Sequence, residues 1–143
     1  MAKQLKQLPP NFHVVEEGLH DEYQYFIAEG PLSRHNPSHD YKQYNGYVAL
    51  PENHPIYKEA KELEWGQPKG SKVRTLDVHG GITYVENGII GFDTAHAGDY
   101  APWLGSSGIY AEGRRWPIEA VRDEIFYLIS QLNIIEENGV TDD

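Results

Sequence analysis

The feature that most constrains this chain is an Asn-Gly pair set between two apolar-rich runs. Residues 82–86 (ITYVE) and 89–93 (IIGFD) flank Asn87-Gly88, the dipeptide that best tolerates the two left-handed conformations of a type I′ turn. The pattern predicts a two-residue β-hairpin with Glu86 opposite Ile89, Val85 opposite Ile90 and Thr83 opposite Phe92. A further strand over 73–78 is expected to lead into it. Upstream, 22–28 (EYQYFIA) and 44–50 (YNGYVAL) have the aromatic, alternating character of strands, and Pro51 ends the second. Residues 30–40 and 65–71 read as loops, and 55–63 as a short helix.

The C-terminal third changes period. Ile118, Val121, Ile125, Leu128, Ile129 and Leu132 recur at three- and four-residue steps, the stripe of a helix that lies on a sheet. Pro117 suits its first turn, where a missing N–H costs nothing. A helix over 117–132 is therefore expected, with residues 1–12 and the acidic 136–143 as frayed tails. These elements predict one α+β domain over 1–143: an antiparallel sheet with one long C-terminal helix packed on a face.

Composition narrows the chemistry. The 143 residues include no cysteine, which excludes disulfides, thiolate metal ligands and thiol nucleophiles. Asp and Glu number 22 against 12 Lys and Arg, a formal charge of −10. That surface repels nucleic-acid backbone and anionic membrane, so neither is expected as a partner. The first ten residues lack the apolar stretch of a signal peptide, and no run approaches the roughly 18 apolar residues that span a bilayer. A soluble, cytoplasmic protein is expected. Ten Tyr, four Phe and three Trp suit either a binding surface or half-buried strands.

The segment LDVHGGITYVENGIIGFDTAHAGDY gathers the residues that carry chemistry. Extending the hairpin pairing outward places His79 opposite His96, with Gly80 and Gly81 leaving backbone open to a bulge or a close ligand. Asp93, His96 and Asp99 follow at spacings of three. Strict alternation puts Asp93 on the opposite face from His96, so a shared site needs a bulge, for which Gly80-Gly81 or Ala95 is the natural place. Three readings stay open. Imidazoles and carboxylates are ligands for a divalent zinc, manganese or iron ion, here His79, Asp93, His96 and Asp99, although no HExxH pattern is present. Without metal, His79, Asp93 and His96 could serve as acid and base on a phosphoester or glycosidic bond. Alternatively, the same groups could hold a ligand without reacting. The purely structural alternative is that the aspartates close Asx-turns and the histidines fill a polar end. His54, in PENHPIY, is a loop histidine that a neighbouring strand could bring to the site. Arg114 and Arg115, in GRRWP just before the helix, suit a phosphate clamp or ion pairs with the surplus carboxylates. Trp103 and Trp116 could stack on a base or pack in the core.

Three of these motifs occur together in a recognisable order. NGYVALPENHP, then DVHGGITY, then GFDTAHAGD resemble a family of small uncharacterised bacteriophage proteins with VHGG(I/L)T(Y/F) and GFDxAHxGD motifs. The likeness runs over residues 44–132 and includes the C-terminal helix EAVRDEIFYLISQL. It makes His54, His79, Gly80, Gly81, Asp93, His96 and Asp99 the motif positions. Small phage proteins of this kind often counter host defences. The resemblance therefore implies an anti-defence protein in the host-cell cytoplasm. Such a protein would bind a nucleotide-derived small molecule, a cyclic ADP-ribose-type or cyclic dinucleotide immune signal, through those residues with Arg114 and Arg115. Since a lone small domain makes few pockets of this kind, a homo-oligomer is expected. The other expectations are a phosphodiesterase-like hydrolase of the same signal and an acidic inhibitor of a host enzyme.

Overall fold

The computed structural model describes residues 6–30, 43–63, 72–94 and 116–138. Five strands, β1 His13–His20, β2 Tyr23–Glu29, β3 Tyr44–Ala49, β4 Tyr84–Glu86 and β5 Ile89–Phe92, form one sheet. Their order is β1-β2-β3-β5-β4 and every neighbouring pair is antiparallel. Among the described residues two α-helices, α1 Tyr57–Leu63 and α2 Ile118–Asn138, accompany the sheet in an α+β fold. The long C-terminal helix lies on one face of the sheet, against β2 and β3. No helix among the described residues is long and apolar enough to cross a membrane.

The hairpin turn has the predicted form. Asn87 and Gly88 have φ of 57° and 76°, both left-handed as a type I′ turn requires. Glu86 pairs with Ile89 and Val85 with Ile90, but the expected Thr83–Phe92 pair does not form. The Thr83 N–H instead donates to the Gly91 carbonyl at 2.9 Å, while Tyr84 is also the partner of Gly91. Thr83, just before β4, and Tyr84, its first residue, thus both face Gly91, the pattern of a β-bulge at the strand's start.

This register sorts side chains between two apolar layers. Tyr25, Ile27, Val48, Ile90 and Phe92 belong to the main core with Val121, Ile125, Leu128, Ile129 and Leu132 of α2. Those five helix residues are fully buried; they are five of the six in the stripe read from the sequence, and the sixth, Ile118, is partly buried against them. On the other face, Phe26, Ala28, Tyr47, Ala49 and Ile89 form a second cluster with Leu8, and Phe12 packs against it. Residues 6–12, expected within a tail, are thus part of the packed structure. The Lys6 N–H donates to the Gln24 side chain at 2.9 Å, and Gln24 returns a bond to the Lys6 carbonyl at 2.8 Å.

Three further expectations need correction. Strand β1 (HVVEEGLH) was not predicted. Its inward Glu16 is held by Arg122 of α2 through two bonds of 2.7 Å, and the Tyr25 hydroxyl donates to it at 2.9 Å. The Arg122 hydrogen bond holds the Glu16 carboxyl below its ordinary value. Second, 73–78 is not a strand. Val73–Thr75 is a 3-10 turn, and further on the Asp77 backbone is bonded by Gln131 of α2. The Asp77 N–H donates to Gln131 Oε1 and Gln131 Nε2 donates to the Asp77 carbonyl, both at 2.8 Å. A side-chain amide occupies the place of a neighbouring strand. Third, α2 runs to Asn138 rather than Leu132. Its last turns are tied to the β1–β2 turn: Asn133 bonds Asp21 at 3.2 Å, and the Tyr23 hydroxyl donates to Glu136 at 2.7 Å.

Gly46 sets how closely the helix approaches. A Cβ there would lie 2.7 Å from Phe92 Cζ and 2.8 Å from Ile125 Cγ1, both fully buried. Gly46→Ala is expected to lower unfolding stability by about 1–3 kcal/mol through overpacking. Urea denaturation checks it, and an unchanged midpoint would place the helix further from β3 than described.

Candidate functional site

The hairpin ends differently from the way an extended ladder would. Residues 78–81 form a tight turn, closed by the Gly81 N–H donating to the Val78 carbonyl at 2.8 Å. Gly80 sits at its third position with φ of 72°, the left-handed place that a type II turn reserves for glycine. Gly81 follows with φ of 80°. A Cβ on Gly81 would meet nothing within 4 Å, so backbone conformation alone calls for glycine there. The VHGG motif is therefore a turn, and His79 lies in it rather than in a strand; the expected pairing of His79 with His96 falls outside the described residues. His96, Asp99, Trp103, Arg114 and Arg115 lie outside the described residues.

His79 belongs to the helix side. Its N–H donates to Glu124 of α2 at 2.7 Å, and its ring lies 4.6 Å from the buried Trp116 indole at 43°. Trp116 is a core residue, 1 % exposed. Asp93 belongs to the other side, where its Oδ2 accepts the Thr83 hydroxyl at 3.1 Å. The described contacts of His79 and of Asp93 thus fall on opposite sides of the sheet. Among the described residues, no three His, Asp or Glu side chains converge as a metal-binding group.

His54 is an interior residue, 3 % exposed. Its Nδ1 accepts the Ile56 N–H at 3.2 Å, so its Nε2 carries the hydrogen that bonds the Leu132 carbonyl at 3.0 Å. The Tyr23 ring meets it edge-on at 6.0 Å. Both ring nitrogens are spent fastening the segment before α1 to α2. Burial is the main influence on this imidazole and lowers its pKa, because the charged form is poorly solvated there.

The residues that share a space with Asp93 are ones the sequence did not single out. A cavity of about 220 Å³ opens on the side of the sheet opposite α2, between the N-terminal segment, the end of β2 and strands β3, β4 and β5. Its apolar wall is Phe12, Tyr47 and Tyr84, with Phe92 of the main core at its edge. The three rings meet edge-to-face, with centroids 5.6 Å (Phe12–Tyr47), 5.7 Å (Phe12–Tyr84) and 5.2 Å (Tyr47–Tyr84) apart. Asn11, Asn45, Thr83, Glu29 and Asp93 supply its polar groups. The bulge explains why the consecutive Thr83 and Tyr84 both line it, which strict alternation forbids. A Cβ on Gly91 would overlap the Tyr47 ring, so that glycine lets the tyrosine lie across β5.

A buried amide chain orients the polar end. Gln43 donates to Asn45 Oδ1 and, at 3.2 Å, to the Thr94 hydroxyl, which in turn donates to the Tyr44 carbonyl at 2.9 Å. Asn45 Nδ2 lies 3.4 Å from the Tyr47 hydroxyl. Burial raises the Tyr47 pKa above 10.0, and the negative charge of Asp93 adds to that rise. The phenol therefore stays protonated at neutral pH and can donate a hydrogen bond.

A second and larger space, about 670 Å³, is an acidic notch beside the β1–β2 turn. Asp21, Glu22, Glu136 and Glu137 line it with Tyr23, and it lacks the aromatic wall of the first. No protein-family model, curated protein or solved structure matches the chain.

His54 generates a pH prediction. Because its folded pKa lies below the ordinary 6.5, the unfolded chain takes up the proton first. The stability contributed by neutral His54 is present above pH 6.5 and is lost as pH falls from there toward the lowered folded value. Denaturant unfolding of wild type and His54→Gln across that window should show a steeper loss in wild type. Equal slopes would mean that His54 titrates as a solvated imidazole.

Proposed function

We propose that the chain binds a nucleotide-derived small molecule and holds it unchanged, as a bacteriophage protein that withdraws an immune signal in the host cytoplasm. The observation that carries this reading is the aromatic-walled cavity with Asp93 at its polar end. Rings and a few convergent hydrogen-bonding groups in a concave site are the usual elements of small-molecule recognition. Asp93, a motif position of the phage-family resemblance, lies within it. Carboxylates accept ribose hydroxyls and base amines but repel phosphate, so this cavity takes the nucleoside end of the ligand. At about 220 Å³ it is smaller than the roughly 300–1,000 Å³ that encloses a drug-sized molecule. The rest of a cyclic ADP-ribose-type or cyclic dinucleotide signal would project outward, where a second copy of the chain or Arg114 and Arg115 would meet its phosphates.

Isothermal calorimetry against cyclic ADP-ribose isomers and cyclic dinucleotides tests the reading. At least one member should bind with Kd of about 1 μM or below and be recovered intact by chromatography after the protein is denatured. Tyr47→Ala should weaken that binding about tenfold or more, in line with a buried aromatic anchor. No binding at that level across the panel removes the proposal. A new product, with or without added divalent metal, would replace it by the hydrolase reading.

A further inference from the structure

The buried amide chain beside the cavity has a direction, and that direction sets what its open end presents. A backbone carbonyl only accepts, so the Thr94 hydroxyl must donate to the Tyr44 carbonyl and accept from Gln43 Nε2. The other hydrogen of Gln43 Nε2 goes to Asn45 Oδ1. The Asn45 amide nitrogen is thereby turned toward the Tyr47 hydroxyl oxygen. The phenol oxygen accepts there, and its own hydrogen is left over. Among the described residues that hydrogen meets no acceptor, and neither does the second hydrogen of Asn45 Nδ2. Tyr47 is 6 % exposed and Asn45 7 %, and both line the cavity. Buried donors are rarely left unpaired in a folded protein, so two of them at one cavity wall point to a guest that completes them.

Resting on the capture reading above, we infer that this polar end takes the oxo group of a nucleobase, as in guanine or hypoxanthine, and rejects the amine of adenine. A carbonyl oxygen has two lone pairs, one for the Tyr47 O–H and one for the Asn45 N–H. The flat ring that carries it lies along the aromatic wall. An amine in the same position would set N–H against O–H and N–H, leaving both wall donors unsatisfied. Among cyclic signals, the site therefore prefers a dinucleotide carrying guanine over one built from adenine alone. It also disfavours a cyclic ADP-ribose, whose base is adenine.

Inosine and adenosine test this, because they share the ribose and the purine ring and differ in an oxo group against an amine. Titration followed by amide chemical shifts should give at least about tenfold tighter binding for inosine, since buried donors penalise the analogue that leaves them unpaired. Tyr47→Phe keeps the ring and loses the hydroxyl. In that variant the preference should largely disappear through weaker inosine binding, with circular dichroism confirming the fold. Equal or tighter binding of adenosine to the wild type overturns the oxo preference and leaves the capture reading standing. A preference that survives intact in folded Tyr47→Phe overturns the assignment to the hydroxyl. Failure of both nucleosides to bind overturns the oxo preference too. The capture reading then falls as well only if the cyclic-signal panel also fails.

Discussion

Asn87 and Gly88 determine which side of the sheet each residue of β5 faces. Because the side-chain period of a strand is two, a slip of one residue would exchange the layers completely. With the type I′ turn in place, Ile90 and Phe92 belong to the helix-side core, and Ile89 to the opposite cluster, with Asp93 on that same side at the cavity. β3 then pairs with β5 so that Gly46 meets Phe92 and Tyr47 meets Gly91. Both contacts depend on a missing Cβ. One glycine admits the helix, and the other admits the tyrosine of the cavity wall.

The two sides of the sheet consequently do different work. The helix side is closed by branched aliphatic residues, with His54 tying the Ile56 N–H to the Leu132 carbonyl of α2 and Gln131 bonding both backbone groups of Asp77, which lies in no strand or helix. Its stability comes from burial and from a few long-range polar ties. The other side is covered by a short N-terminal segment that supplies Leu8 and Phe12, and at its edge the packing opens into the cavity. The bulge at Thr83 and Tyr84 lies at that edge. By turning two consecutive residues the same way it makes room for Thr83 to hold Asp93 while Tyr84 extends the aromatic wall.

Much of the architecture was legible because local signals agreed with the fold. The Asn-Gly turn, the alternating strands β2 and β3, and the helix stripe each stand in one window of sequence. What was not legible depends on partners far along the chain. β1 reads as a polar segment because its inward residue is Glu16, whose reason is Arg122, 106 residues away. The 73–78 run has the β-branched look of a strand, and only Gln131 on the distant helix shows why none forms. The helix outlasts its apolar stripe because Tyr23 and Asp21 hold its final turns. For the site, alternation set Asp93 against His96, with an irregularity expected at Gly80-Gly81 or Ala95. His96 and Ala95 lie outside the described residues, Gly80-Gly81 is a turn, and the irregularity beside Asp93 is at Thr83. Asn45, Tyr47 and Tyr84 escaped notice because only the strand order β3-β5-β4 brings them together. VHGG reads as a site by its composition; in the fold it is first a turn that docks on Trp116 and Glu124.

The central claim is that the side of the sheet opposite α2 receives the ligand. Amide chemical-shift mapping with the tightest-binding member of the cyclic-signal panel measures this most directly. The account predicts perturbations at residues 45–47, 83–84 and 91–93, with 78–81 and the body of α2 unmoved. Shifts centred on His79, Gly80 and Glu124, with the Tyr47 and Tyr84 amides unchanged, would contradict it.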